Sequence, residues 1–165
     1  MKKMLAVMLA VLLLVPALAL AQGSVLMVEL PQDAQMVEDI AFDDGDFIQT
    51  VQLPGGAQVQ LLRYAAFDMT LGDLFASEWV GATDVRELGI TEVSGHPAQG
   101  LRFSYQEEGQ QALDVAIVVV DAGETLVFSA VFPAGGADAQ LDAMLESMTV
   151  MTESDKPAAD HADVG

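Results

Sequence analysis

The chain of 165 residues contains no cysteine, and only six of its residues are lysine or arginine. Without cysteine there can be no disulfide, no thiolate metal site and no lipid anchor of the bacterial lipoprotein type. The shortage of basic residues excludes the positively charged surface on which nucleic-acid binding depends. We therefore expect a domain that is stable through packing alone and that has no nucleic-acid partner.

Histidine is almost as scarce, since only His96 and His161 occur. His96 lies in a turn-like Ser-Gly-His-Pro segment, and the sequence marks no partner for a catalytic triad or a zinc site. His161 lies near the C-terminus. The sequence therefore predicts no catalytic residue and no cofactor.

The first 21 residues have the pattern of a bacterial export signal. A basic start at Lys2 and Lys3 precedes the apolar run Met4–Leu20, which Pro16 interrupts and which ends in a small-x-small motif. An uncleaved membrane anchor is the alternative, although this run is at the short limit of a bilayer span. We expect cleavage after residue 21, a periplasmic or secreted protein, and no stable membrane insertion afterwards.

The chain is strongly acidic, with 25 aspartate and glutamate residues and a formal charge of −19. Loss of Lys2 and Lys3 with the signal would bring the charge to −21. Such a surface repels anionic lipids and attracts divalent cations or basic partners. It is also typical of proteins that tolerate high salt, and we favour that interpretation over a dedicated cation site.

One acidic cluster, Asp43-Asp44-Gly45-Asp46, is a weak candidate metal site. Carboxylate oxygens are the ligands that calcium prefers, so Asp43, Asp44 and Asp46 are the candidate ligands. The cluster lacks the residue spacing and the final glutamate of the twelve-residue calcium loop. A solvated turn before a strand is the interpretation that we favour.

The clearest structural signal is the block Val93–Phe132, which contains three strand-like runs. Turns at Glu107–Gln110 and Asp121–Glu124 each place a glycine where positive φ is needed. The middle run, Ala112–Val120, is apolar on both faces apart from Asp114. This pattern predicts an interior strand that is covered on both sides, with helices as the available cover.

Hydrophobic periodicity predicts the remaining elements, and Thr70 with Asp73 predicts a capping box at one helix start. The expected strands are Ser24–Leu30, Asp46–Leu53, Ala57–Tyr64 and Glu87–Val93, and the expected helices are Thr70–Trp79 and Ala139–Met148. The acidic stretch between residues 32 and 46 is given no strand. We expect one α+β domain over residues 22–151, a largely antiparallel twisted sheet with helices packed on its faces. A disordered acidic tail is expected over residues 152–165.

The order of these elements resembles the PsbP/Mog1-like α/β/α sandwich family. The resemblance extends roughly from Ser24 to Met151 and includes the turn Gly95-His96-Pro97-Ala98. Its most similar part is GETLVFSAVFP followed by AQLDAMLESMTV. The resemblance implies the sandwich fold. It implies no single activity, because members of the family differ in function and many are small exported bacterial proteins of unassigned role.

Four further side chains are candidates for ligand contact. Phe75 and Trp79 could line a groove beside the sheet, although aromatic residues at helical spacing are more often core. Arg63 and Arg102 could hold an anionic ligand, although each is expected to pair with nearby acids on the surface.

Taken together, the sequence favours a non-catalytic exported accessory or binding protein that contacts a protein or a small ligand. One alternative is a secreted enzyme that uses carboxylate acid/base chemistry, which requires two acids in one pocket. The other is a calcium-dependent structural or adhesion protein.

The charge predicts that salt stabilises the protein. Raising NaCl from about 0.01 M to about 1 M shortens the Debye length from roughly 30 Å to roughly 3 Å and screens the repulsion among the acidic side chains. The melting temperature measured by circular dichroism should therefore rise across this range. A melting temperature that stays constant or falls would contradict the salt-tolerance interpretation.

Overall fold

The computed structural model describes residues 23–65, 70–135 and 138–152, which form ten strands and two helices. The strands are β1 (Val25–Met27), β2 (Gln35–Ala41), β3 (Phe47–Gln52), β4 (Gln58–Tyr64), β5 (Thr83–Glu87), β6 (Glu92–Val93), β7 (His96–Tyr105), β8 (Leu113–Asp121), β9 (Thr125–Pro133) and β10 (Thr149–Met151). The helices are α1 (Leu71–Glu78) and α2 (Asp138–Ser147).

Eight of the strands form one antiparallel sheet with the order β2-β3-β4-β9-β8-β7-β5, and β6 pairs with the free part of β7. The other two, β1 and β10, form a separate antiparallel ribbon. Within the large sheet, β8 lies between β9 and β7, and β9 lies between β4 and β8. The meander β7–β8–β9 is therefore the centre of the sheet, as the sequence predicts.

The inner strands are buried on both faces. Side chains from Val115 to Val120 are all buried, and so are those from Thr125 to Phe128. One face, here called the ribbon face, packs against β1, β10 and α2 through Val25, Leu26, Val150, Leu141 and Met144. The opposite face, here called the α1 face, packs against Leu71 and Leu74 of α1. Two hydrophobic clusters therefore lie on the two sides of one sheet.

The predicted α+β class, with helices covering the sheet faces, is wrong. Strands account for 50% of the described residues and helices for 14%, in two short segments, so the fold is β-rich. The physical reason is that the two short helices are not the only cover. The β1–β10 ribbon supplies apolar side chains to one face, and long side chains of the sheet itself fill much of the other.

The individual strands and helices agree with the sequence-based predictions more closely than the fold class does. The hairpin β3–β4, the meander, and the two helices are confirmed. Helix α2 buries Leu141 and Met144 on one side, and Met148, which follows it directly, is also buried. Strand β2 forms where no strand was expected, and β10 was not anticipated. The strand predicted at Glu87–Val93 is mostly wrong, because only Glu87, the last residue of β5, and Glu92–Val93, which form β6, are strand. The predicted signal at residues 1–21 lies outside the described residues, as does the predicted tail beyond Thr152.

Gly100 allows a close approach between β7 and the segment that follows β5. Its carbonyl accepts a hydrogen bond of 3.0 Å from the N–H of Leu88. A Cβ at this position would lie 3.0 Å from Leu88 Cδ1 and 3.3 Å from Val118 Cγ2. A methyl group here therefore requires Leu88 and Val118 to shift by a few tenths of an ångström.

Replacing Gly100 with alanine should therefore destabilise the protein by about 1–3 kcal/mol through overpacking. Gly72→Ala is the matched control, because the nearest atom to its added methyl would be Thr70 Oγ1 at 3.8 Å, an ordinary contact. That variant should stabilise helix α1 by up to about 1 kcal/mol. Urea denaturation measures both, and the same sign of change in the two variants would contradict the packing described here.

Candidate functional site

Helix α1 begins at a capping box that fixes its position on the sheet. The Thr70 hydroxyl accepts a 3.1 Å hydrogen bond from the N–H of Asp73, and the Asp73 carboxylate accepts a 3.1 Å bond from the N–H of Thr70. A 2.6 Å bond from the Thr70 hydroxyl, together with that from its N–H, lowers the pKa of Asp73. The predicted capping box is confirmed, and its satisfied N–H groups hold the first turn of α1 above β8.

A cleft of about 610 Å³ opens between this first turn of α1 and strand β7. Its apolar lining comes from four segments of the chain and includes Leu71, Ile90, Pro97, Leu101 and Val119. In β7, Pro97, Gln99 and Leu101 lie on the α1 face, and Ala98 and Gly100 between them also contribute to the lining. The volume is within the usual range of small-molecule sites.

The polar groups of the cleft are uncharged or acidic. Thr70, Thr91 and Gln99 supply hydroxyl and amide groups, while Glu87 and Asp121 supply carboxylates. Both carboxylates belong to exposed residues at the ends of β5 and β8. No basic residue is among the described residues that line the cleft. Its electrostatics therefore favour neutral or cationic molecules over anions.

The candidate metal ligands lie in the turn between β2 and β3. Asp44 Oδ1 accepts a 3.1 Å hydrogen bond from the N–H of Asp46, and Asp46 Oδ1 accepts a 2.7 Å bond from the N–H of Ala65. Asp43 is exposed beside them. Within the described segments, no three acidic or histidine side chains are placed to hold one metal ion. The two bonded carboxylates stabilise backbone structure, and metal binding by this turn stays a prediction.

Arg63 is buried, with 1% of its surface exposed, so the expected surface position is wrong. Its Nε donates a 2.7 Å hydrogen bond to the carbonyl of Gly45, and its Nη1 donates a 3.2 Å bond to the carbonyl of Ser24. The guanidinium carbon also lies 5.1 Å from the centre of the Phe47 ring. Arg63 thus links β1, the β2–β3 turn and β4.

Arg102 lies directly opposite Arg86 on the neighbouring strand β5. The two line a polar pocket of about 380 Å³ that also contains Asp84, Ser104 and Asp114. Arg102 is a candidate from the sequence, whereas Arg86 is not. Correct placement of β5 would have shown that two arginines are cross-strand neighbours, a pairing that costs free energy unless anions are near. Asp84 and Asp114 provide such charges within the same pocket.

Phe75 and Trp79 are half-buried members of an aromatic cluster. Both pack edge-on against Phe103, with ring centres 5.2 Å and 5.4 Å apart, and Trp79 also packs against Tyr105 at 5.0 Å. Trp79 additionally lines a groove of about 130 Å³ together with Tyr64. Burial is the main cause that raises the pKa of Tyr64. These aromatic residues therefore belong mainly to the core, as expected, and Trp79 also reaches a small groove.

The remaining sequence candidate, His96, begins β7 and pairs with Val93 in the short hairpin between β6 and β7. It is half-buried there and does not line the cleft, although its neighbour Pro97 does. The residues that form the cleft were not found from the sequence. The only sequence signals for the cleft are the strand alternation that places Pro97, Gln99 and Leu101 on one face of β7 and the glycine at position 89.

Comparison with known proteins gives no family. No family model matches the chain, and no curated protein is significantly similar to it. The resemblance to PsbP/Mog1-like proteins therefore stays a prediction, and the sandwich architecture that it implied is the one corrected above. In the described segments, neither helix has the length and apolar character to span a bilayer.

The contacts of Arg63 predict a large effect on stability. Arg63→Met keeps the apolar stem but removes charge-assisted hydrogen bonds, leaving two carbonyls without these donors, and should lower the free energy of unfolding by about 2–5 kcal/mol. Arg86→Met is the control, because Arg86 is exposed at the sheet edge. That change should stay within about 0.5 kcal/mol. Equal losses in the two variants, measured by urea denaturation, would contradict a special role for Arg63.

Proposed function

We propose that this chain is a non-catalytic exported binding protein that holds a small, largely apolar molecule in the cleft between α1 and β7. The observation that carries the proposal is the cleft itself, with its volume of about 610 Å³ and a lining that combines aliphatic side chains with hydroxyl, amide and carboxylate groups. A concave apolar surface with a few polar groups is the usual form of a small-molecule site. Export is supported by the basic and apolar pattern of residues 1–21.

The cleft also suggests which molecules it would hold. Leu71, Leu101 and Val119 favour an apolar body, since each square ångström of apolar surface removed from water contributes about 25 cal/mol. Glu87 and Asp121 favour a neutral or positively charged polar end. The whole chain has a formal charge of −19, which also weakens the binding of anionic molecules.

The walls of the cleft are held from several directions, which favours binding to a preformed site. The capping box fixes α1 on one side, and β7 is paired with β8 from Ala98 to Tyr105 on the other. The segment that follows β5 is attached to β7 by the bond from Leu88 to Gly100. A preformed site loses less conformational entropy on binding than one that must order first.

Nile red, a neutral apolar dye whose fluorescence rises out of water, tests this proposal. Gln99→Trp places a large side chain in the cleft and should weaken dye binding by about tenfold or more, equivalent to about 1.4 kcal/mol. Gln58→Trp is the matched control, because Gln58 is also an exposed strand residue but does not line the cleft. It should leave binding unchanged.

The sign of the ligand charge is tested with the anionic dye anilinonaphthalene sulfonate, which should bind the wild-type protein more weakly than Nile red does. Equal Nile red binding by the two tryptophan variants would show that the dye is held elsewhere and would contradict the proposed site. Preference for the anionic dye would contradict the proposed ligand class.

A further inference from the structure

Strand β2 is an edge strand with an exposed backbone side. In the described part of the chain it pairs only with β3, and all but one of its residues are exposed. Four consecutive residues, from Glu38 to Ala41, keep a regular antiparallel register with β3. The register of β2 shifts once, between Met36 and Glu38, and that of β5 shifts between Thr83 and Arg86. The opposite edge, β5, is nevertheless less regular, because only two of its consecutive residues stay in register and Asp84 adopts a φ of 52°. The sheet therefore has one regular edge strand on which another strand can form hydrogen bonds.

The direction of the backbone groups in β2 follows from its end. The N–H of Phe42 donates a 2.9 Å hydrogen bond to the carbonyl of Asp46, so Phe42 is bonded towards β3. Along an antiparallel strand, the backbone N–H and C=O groups of successive residues point alternately towards the partner strand and away from it. Those of Ile40 therefore point towards β3, and those of Asp39 and Ala41 point away from it. Asp39 and Ala41, which are two positions apart, therefore offer the N–H and C=O groups that an added strand requires.

Exposed apolar side chains are concentrated at the same edge. Val37, Ile40 and Phe42 are 61%, 41% and 47% exposed, and they are three of the five large hydrophobic residues that are exposed in the described part of the chain. Charged side chains, prolines and bulges usually protect such an edge. Glu38 and Asp39 are charged here, but exposed apolar side chains of this size do the opposite. The edge therefore has both the backbone groups and the side-chain contacts of a docking strand.

The charge around β2 indicates the kind of partner. Glu38 and Asp39 lie in the strand, and Asp43 and Asp44 lie in the turn that follows it. No lysine, arginine or histidine occurs between residues 4 and 62. A second copy of this chain would bring the same acidic residues together, in addition to the repulsion between two bodies of formal charge −19. A segment with basic side chains would be attracted instead.

We propose that β2 is a docking strand for an extended segment of a partner protein that carries lysine or arginine next to apolar residues. The segment extends the sheet beyond β2, with basic side chains beside Glu38 and Asp39 and apolar ones beside Ile40 and Phe42. This interaction is separate from the proposed function, because β2 and the cleft beside β7 lie at opposite ends of the strand order. Failure of either proposal leaves the other unaffected.

A fluorescently labelled, end-blocked peptide with the sequence Lys-Lys-Ile-Thr-Phe-Lys is the probe, with fluorescence anisotropy as the measurement on the full chain. Its control is the same peptide methylated on alternate backbone nitrogens, which keeps every charge and side chain but blocks strand pairing. Loss of two backbone hydrogen bonds should weaken binding by about tenfold or more.

Ala41→Pro tests the same contact from the protein side. The N–H of Ala41 points outward, so proline removes a donor for the partner and spares the ladder to β3. This variant should bind the unmodified peptide about tenfold more weakly. Its melting temperature, measured in parallel, should stay close to that of the wild type. Ile40→Ser offers a second variant, which removes an apolar contact without any change in the backbone.

Three results would overturn the proposal. The first is equal binding of the methylated and unmodified peptides, which would indicate attraction between charges alone. The second is an unchanged affinity in both Ala41→Pro and Ile40→Ser. The third is sedimentation of the wild-type chain as a dimer that Ala41→Pro converts to a monomer, which would make a second copy the occupant of β2.

Discussion

A strand that is apolar on both faces must be kept out of water on both faces, and β8 and β9 impose this constraint on the whole chain. Burial of each valine side chain between Val115 and Val120 contributes about 1.5–3 kcal/mol relative to exposure in water. The ribbon β1–β10 and helix α2 cover one side, and α1 covers part of the other. The positions of these smaller elements follow from the inner strands they cover.

The candidate functions lie where this cover ends. The first turn of α1 leaves part of the α1 face of the sheet uncovered, and the cleft beside Leu101 and Val119 is the result. At the far end of the strand order, β2 lies beyond both hydrophobic clusters except for Met36, which packs against one of them. A protein that binds a small molecule at one end of the sheet and a partner strand at the other would use both uncovered regions and leave its core unchanged.

Much of the centre of the fold could be predicted from the sequence, because its signals are local. The alternation and turns of the meander, the capping box of α1 and the helical period of α2 all depend on residues a few positions apart. Strand β2 was missed because an exposed edge strand rich in acids has no alternation to detect. The pairing of β1 with β10 was missed because it joins residues more than a hundred positions apart.

The fold class was wrong for a related reason. Two-sided burial was predicted for Ala112–Val120 and holds from Val115 to Val120, but apolar pattern alone does not say whether strands or helices provide the cover. The candidate site had little sequence signal, since its lining comes from α1, β7, β8 and the segments around β5 and β6. Arg63 was placed on the surface because the groups that accept hydrogen bonds from its Nε and Nη1 are backbone carbonyls, which have no signature in sequence.

Amide hydrogen exchange tests the central claim most directly. If β8 and β9 are buried on both faces, the amides of Val115–Val120 and Leu126–Ala130 should exchange only through global unfolding. The amides of β2 that face away from β3, at Asp39 and Ala41, should exchange orders of magnitude faster under the same conditions. Exchange in β8 and β9 as fast as that of Asp39 and Ala41 would contradict the account.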